Sequence, residues 1–369
     1  MCIRDRIRIS SFKVTEIHQV LVGAGRTDAI TNMARSIRSS LRKIGPSEIY
    51  AQHPAPGVDD VYLLDKLGQS ARSKRIIVFH ASGGNPAVYD FLDTCSDPVI
   101  LIFHNIAPAD LFEDVDKSRA DDLRQGWKDL ESLRSKVILT IADSEFNAQC
   151  LADHKYENIE VLPLGVEANR LHNLPSNAVM DYRLDRETNG PLLLFVGQSV
   201  PHKKIETLIQ MQYLLSVHLG RESSLVLVGP PTISAIQDAA LEQARRLRVP
   251  NCIFLGQIQD DELATLYRRS SVFVTASLHE GLCIPAIEAM SFEVPVIARR
   301  TSALSETVGD AGMLLPEDAG PEFFSEAVNE LLENDSLKRN LIERGKEKVS
   351  HYDSALNNQK FLDSLSQVI

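Results

Sequence analysis

Val272-Phe273-Val274-Thr275-Ala276-Ser277-Leu278-His279-Glu280-Gly281-Leu282-Cys283-Ile284-Pro285-Ala286-Ile287-Glu288-Ala289-Met290 is the stretch from which the rest of the chain is read. Its β-branched and aromatic start, Ser271 to Thr275, reads as a buried strand. A polar turn follows, and Pro285 then stands where a first helical residue belongs, with its φ already set for a helix. Strand, loop and helix start bring the N–H groups of Gly281 to Ile284 to one spot. Orphan donors at the positive end of a helix dipole favour an anion there. Gly281 lets a bulky phosphate come close to the backbone.

Two carboxylates flank that spot, and anions repel phosphate. Glu280 lies at the mouth of the loop and Glu288 about one turn inside the helix. Acceptor-only groups beside an anion hole suit hydroxyl donors, such as a sugar ring or a ribose diol. A diphosphate between two polyols is a nucleotide sugar. The run Ser-x-His-Glu-Gly-x-x-x-Pro-x-x-Glu-Ala-Met resembles the donor-site signature of the retaining glycosyltransferases of family 4. The plainer reading is an ordinary α/β helix start with a surface Glu280 and an exposed Glu288.

The chain of 369 residues is long enough for two domains. A composition of 44% hydrophobic and 24% charged residues is that of a soluble globular protein. A net charge of -11 argues against a general nucleic-acid binder, whose footprint is a basic excess. No apolar run approaches bilayer length and no charged-then-apolar leader is visible. Cys2, Cys95, Cys150, Cys252 and Cys283 are scattered and lack metal-ligand spacing, which fits reduced thiols in the cytoplasm. Cys283 falls beside the anion spot in sequence and reads as a small buried filler. Met1 to Arg6 has no apolar period and is left out of the fold reading.

In the N-terminal half, Val14 to Val22 reads as a strand running into Gly23-Ala24-Gly25-Arg26-Thr27-Asp28. The two glycines give a tight loop able to close over a ligand, without the third glycine of a dinucleotide fingerprint. Arg26 and Asp28 read either as acceptor-side groups or as a loop charge and a helix cap. The helix that follows carries Arg35, Arg38, Arg42 and Lys43 on one side, a solvated face or a contact for anionic lipid. Ser47 to Ala51 is an expected strand. The strands Arg75 to Phe79 and Pro98 to Phe103 each end in a histidine, His80 and His104, where open α/β sheets bind ligands. Residues 109 to 135 read as one long helix, Val137 to Ala142 as a strand, and Ser144 as the cap of the next helix. Residues 174 to 190 are polar and turn-rich and read as a linker.

In the C-terminal half, the strand Pro191 to Val196 leads into Gly197-Gln198-Ser199-Val200-Pro201-His202-Lys203-Lys204. A lysine at a helix entrance is a poor choice by dipole logic and a good one for offsetting phosphate. The strands at 225–228 and 252–255 repeat the strand-glycine pattern. Alternation of strands and helices implies two parallel sheets covered on both faces.

The resemblance covers residues 12 to 369 and implies the fold class α/β, with two facing Rossmann-like domains (GT-B) and an interdomain cleft. It places an N-terminal acceptor domain at 7–173, completed by the helix 354–369, a linker at 174–190, and a nucleotide-sugar donor domain at 191–353. Pro163-Leu164-Gly165-Val166-Glu167 resembles the family's crossing between domains. The implied catalytic residues are His104, Glu280 and Lys203. The donor-binding set is Gly197, Gln198, Ile258, Gly281, Leu282, Cys283, Glu288 and Glu306, with Gly23, Gly25, Arg26, Asp28 and His80 on the acceptor side. Lys203 matches the lysine of the family's Gly-Arg-x-x-x-x-Lys pattern, whereas Gln198 departs from its arginine. A neutral amide cannot cancel phosphate charge, which leaves compensation to Lys204 or His202. No metal or cofactor is expected beyond the nucleotide-diphospho-sugar donor. The partners implied are that donor and a hydroxyl acceptor (a sugar, a lipid-linked sugar or a small polyol), with no nucleic acid. The implied location is the cytoplasm, with peripheral contact at the inner face of the membrane as a variant. A sugar-nucleotide epimerase and an inactive partner subunit of the same architecture are the alternatives.

Overall fold

Leu192-Leu193-Leu194-Phe195-Val196 shows what drives the fold. Five apolar residues in a row need cover on both faces of their strand. Leu192 and Leu194 enter one core with Tyr267, Phe273, Ala286 and Ile287. Leu193 and Phe195, pointing the other way, enter a second core with Ile205, Leu208, Phe324 and Leu331.

The structure is a computed structural model describing residues 16–26, 28–69, 74–163 and 168–368. Met1–Arg6, the first two residues of the expected strand at 14–22, Thr27 and residues 164–167 of the expected domain crossing lie outside the described residues. The chain forms two compact units: Met1–Ile106 with Asp122–Gly165 and Ser354–Ile369, and Ala107–Asp121 with Val166–Asp353.

The first unit is built on β1 (Glu16–Ala24), β2 (Ile49–Pro54), β3 (Tyr62–Leu63), β4 (Arg75–Ala81), β5 (Val99–Phe103), β6 (Val137–Ala142) and β7 (Ile159–Val161). The second is built on β8 (Leu192–Val196), β9 (Ser224–Val228), β10 (Cys252–Gly256), β11 (Val272–Thr275), β12 (Val296–Arg299) and β13 (Gly312–Leu315). The spatial orders are β3-β2-β1-β4-β5-β6-β7 and β10-β9-β8-β11-β12-β13, and every pairing is parallel. Both are Rossmann-like α/β sheets. In each the order reverses beside its first strand, between β1 and β4 and between β8 and β11. The carboxyl ends of strands at such a switch point are where open sheets hold ligands.

Four sequence readings change. Residues 174 to 190 are not a linker. The helix Ala178–Glu187 occupies most of them, capped by Asn177, whose side chain accepts from Met180 N–H at 2.9 Å. Met180 and Leu184, one turn apart, are buried in the second unit's core, and Asp181 and Asp185 pair with Arg269. The polar composition came from the salt-bridged face, and it masked a short apolar stripe. The helix expected over 109–135 spans Lys117–Leu133, after a 3-10 turn at Ala109–Leu111. Residues 107–121 group with the second unit, although the chain reads them in the N-terminal domain. The second strand runs Ile49–Pro54, displaced toward the C-terminus of the expected 47–51.

The basic helix face is also less available than its sequence implies. Arg35 and Arg38 both bind Asp60, at 2.8 and 2.6 Å, and Arg42 binds Glu48 at 2.7 Å. No helix among the described residues is long and apolar enough to cross a membrane. Cys95, Cys150, Cys252 and Cys283 are free thiols.

Candidate functional site

The turn after β8 and the turn after β11 meet because those strands are neighbours at the second sheet's switch point. The first turn is pinned from outside. Gly197 N–H donates to the Val228 carbonyl and Ser199 N–H to that of Pro230. A Cβ on Gly229 would stand 1.9 Å from the Gly197 carbonyl oxygen, and its φ of 143° already requires glycine. The second turn joins it where Leu278 N–H donates to the His202 carbonyl at 2.7 Å.

Lys203 Nζ thereby reaches Glu280 Oε1 at 2.6 Å, with both side chains largely buried. Burial opposes the Lys203 ammonium, but the Glu280 carboxylate outweighs it and holds the lysine above its usual pKa. Burial likewise opposes ionised Glu280, and Lys203, with help from the Ser277 hydroxyl, outweighs it and holds the carboxylate below its usual value. Glu280 N–H donates to Ser302 Oγ at 2.8 Å, which fixes its backbone. The surface reading of Glu280 is thus excluded: the residue is 9% exposed.

Beyond Glu280 the chain turns into the helix Ile284–Ser291, with Pro285 in its first turn and Cys283 at the cap with φ 61°. Thr307 Oγ1 donates to the Leu282 carbonyl at 2.6 Å, which fixes that peptide. The N–H groups of Leu282, Cys283 and Ile284 have no protein acceptor among the described residues. They are the orphan donors expected at a helix start. Burial pushes the Cys283 thiol well up, so it is an inert filler, as its sequence implied.

Glu288 lies inside that helix, half-buried, and accepts from the Tyr267 hydroxyl at 2.8 Å. Burial raises its carboxyl to about 7, against the Tyr267 hydrogen bond. Glu306 is half-buried on the short helix Leu304–Thr307. Ile258 is half-buried and packs on the core beneath β10. Gln198 is exposed. Neither neighbour replaces the missing arginine: Lys204 pairs with Glu206 at 3.0 Å. Burial lowers His202 to about 3, so its ring is neutral. His202 packs instead against Phe112, with ring centroids 5.7 Å apart.

In the first unit, β4 and β5 deliver the two histidines side by side. The His80 and His104 rings stack with centroids 5.1 Å apart, and His80 Nδ1 lies 2.9 Å from His104 Nε2. His80 Nε2 lies 2.9 Å from Gln19 Oε1, and His104 Nδ1 lies 2.5 Å from Asp143 Oδ2. Both nitrogens of each ring are therefore engaged inside the protein. Asp28 resolves as a helix cap, accepting from Thr31 N–H at 2.8 Å and Thr31 Oγ1 at 2.6 Å. Gly25 N–H donates to that same hydroxyl at 3.1 Å, Gly23 is the penultimate residue of β1, and Arg26 is exposed.

Sequence reasoning missed Tyr267, Ser302, Thr307, Gln19 and Asp143. Each acts by touching a residue distant in the chain, and none stands in a motif of its own.

Fold and site define a two-unit Rossmann-like α/β protein of GT-B architecture, with unpaired N–H groups at a helix start beside a buried lysine. Residues 181–348 match the family model described as glycosyl transferases group 1. The chain is 29% identical over 252 residues to the O-antigen chain mannosyltransferase B of Escherichia coli, covering 67% of this chain and 64% of that protein. It is 29% identical over 220 residues to the D-inositol 3-phosphate glycosyltransferase of Nocardia farcinica, covering 58% of this chain and 49% of the relative. The alignments thus span less than two thirds of these relatives. Among solved structures, sucrose-phosphate synthase from Thermosynechococcus elongatus superposes with a TM-score of 0.76 at 17% identity, covering 96% of this chain and 98% of that one. Anabaena HepE in complex with UDP and glucose gives 0.77 at 16% identity, covering 96% of this chain and 100% of that one. These two share the fold.

Proposed function

We propose that the chain is a retaining glycosyltransferase of family 4 that moves a hexosyl group from a nucleotide-diphospho-sugar to a hydroxyl acceptor in glycan synthesis. The observation that carries this is the buried Lys203–Glu280 pair in the loops after β8 and β11, next to the unpaired N–H groups of Leu282 and Cys283. A cation and converging amides stabilise charge that grows on a leaving diphosphate. In the transfer, the bond from the anomeric carbon to the diphosphate oxygen breaks. A bond to the acceptor oxygen forms, and the acceptor's proton leaves to the departing diphosphate or solvent. Glu280 orients the donor sugar and Glu288 accepts from the ribose hydroxyls. Lys203 and the backbone donors do the work that a metal ion does in other diphosphate sites, and the first unit supplies the acceptor side. The names of the relatives point to mannose or another hexose as the transferred sugar.

A thermal-shift screen against UDP-, GDP- and ADP-sugars tests the donor half. A ligand at a hundred times its Kd stabilises the fold by about 2.7 kcal/mol. No shift with any sugar nucleotide removes the reading. Turnover without an acceptor would turn it into an epimerase. Binding without turnover on any acceptor pool would turn it into an inactive partner subunit.

A further inference from the structure

Hydrogen bonds in the first unit form a line between two ends that can only accept. At one end Gln19 Nε2 donates to the Ala34 carbonyl at 2.9 Å. That fixes the Gln19 amide, so Oε1 faces His80 Nε2 as an acceptor and His80 must carry its proton on Nε2. His80 is 1% exposed, and burial with the neighbouring His104 ring pushes its pKa well down, so the ring is neutral. Its Nδ1 is then an acceptor, and His104 Nε2 must donate to it. At the other end His104 Nδ1 meets the Asp143 carboxylate. A line of neutral groups, each donating one way and accepting the other, cannot join two acceptors. It needs one extra proton. The two gaps nearer Gln19 are already filled by the His80 and His104 Nε2 protons, so that extra proton lies in the 2.5 Å contact between His104 Nδ1 and Asp143 Oδ2. Between the two histidines it belongs to the one beside the carboxylate. The titratable groups facing His104 are His80 from β4 and Asp143 from the loop after β6.

The His104 ring therefore has no nitrogen left for a ligand. What it holds is the turn at the end of β5. His104 N–H donates to the Ala81 carbonyl. The next residue, Asn105, sits at φ 95°, a region a non-glycine residue enters at a cost of order 1–3 kcal/mol unless its surroundings hold it there. Asn105 Nδ2 is tied to Asn147 Oδ1 at 2.7 Å, just after the Asp143-Ser144 turn. The same segment thus holds both residues of the β5 turn.

We propose that Asp143, with His80 and Gln19, is a positioning residue for His104, keeping both its ring nitrogens protonated and the strand-end turn in place for the reaction. This rests on the reading of the first unit as the acceptor side.

Histidine side-chain nitrogen NMR on the full chain tests it. At neutral pH one ring, lost in His104→Gln, is expected to be protonated on both nitrogens, and one, lost in His80→Gln, to be a neutral ring protonated on Nε2. In Asp143→Asn the first signal becomes a neutral tautomer. A neutral His104 ring in the parent protein overturns the proposal, and it does so whether or not any acceptor is found. With an acceptor in hand, Asp143→Asn should lower kcat on the order of ten- to a hundredfold, the scale of a misplaced reacting group. The KM for the donor should stay within about twofold, because the donor groups lie in the other unit. An unchanged kcat would also overturn the proposal. A parent protein that binds no sugar nucleotide refutes the functional reading alone.

Discussion

Lys203 and Glu280, 77 residues apart in sequence, meet ammonium to carboxylate at 2.6 Å in a largely buried pair. The cation proposed to offset the diphosphate is thus the partner of the carboxylate proposed to orient the sugar. On the proposed reading, donor phosphate would compete with Glu280 for the lysine, and the carboxylate released would accept from sugar hydroxyls. Breaking one side of a buried pair leaves the other charge stranded, at a cost of about 3–5 kcal/mol. Lys203→Met and Glu280→Gln should each show that loss in urea denaturation at neutral pH, and the double variant should lose less than the sum. The pH dependence has two sides. The Glu280 contribution is lost as pH falls through its lowered pKa, and the Lys203 contribution as pH rises through its raised one. Strictly additive losses would show that the pair is not coupled.

Gln198 is exposed where the family pattern has arginine, while Lys204 is paired and His202 neutral. Restoring the charge should therefore strengthen the donor contact. A charge-assisted hydrogen bond contributes about 1.5–3 kcal/mol where the neutral one contributes less, so Gln198→Arg should tighten sugar-nucleotide binding roughly tenfold. Free nucleoside diphosphate should gain as much. Isothermal titration of both ligands measures this, and equal affinities in parent and variant would place residue 198 outside the diphosphate site.

Much of this was legible in sequence where one residue type does one local job. Pro285 announced the helix start, apolar runs such as Leu192–Val196 announced two-faced burial, and Ser144 announced a cap. Legibility failed where a role depends on a partner far along the chain. The Glu280–Lys203 pair, the Tyr267 hydroxyl on Glu288, and the line from Gln19 to Asp143 leave no spacing to read. It failed again at 174–190, where two buried residues in a polar stretch suffice for a helix once a cap and two salt bridges secure its other face.

Asp28 separates a structural role from a chemical one. Its carboxylate accepts from both the N–H and the hydroxyl of Thr31. Loss of such a cap costs about 1 kcal/mol. Asp28→Ala should lower the denaturation midpoint accordingly, while Asp28→Asn, which keeps an oxygen acceptor, should recover most of it. Neither should change kcat by more than about twofold. A large kcat loss in Asp28→Asn with stability intact would return this residue to the acceptor site.

Glu288 gives the donor site a pH dependence of unusual sign. Burial raises its carboxyl to about 7, with the Tyr267 hydrogen bond and Arg170 opposing and Asp260 adding. A carboxyl raised above its unfolded value binds a proton in the folded state between that value and about 7. Its linkage therefore costs stability as pH rises through this window, the reverse of a salt-bridged carboxylate. Donor binding runs the other way. If ribose hydroxyls donate to the ionised form, as proposed, Kd for a sugar nucleotide should fall about tenfold per pH unit up to about 7 and level off above it. Glu288→Gln should bind more weakly above pH 7 and flatten the profile. Tyr267→Phe removes the bond that favours the charged form, and should shift the break to higher pH without removing it. Titrations between pH 5.5 and 8.5 (roughly spanning the window) decide the matter: a break that survives in Glu288→Gln belongs to another group, and the ribose contact goes with it.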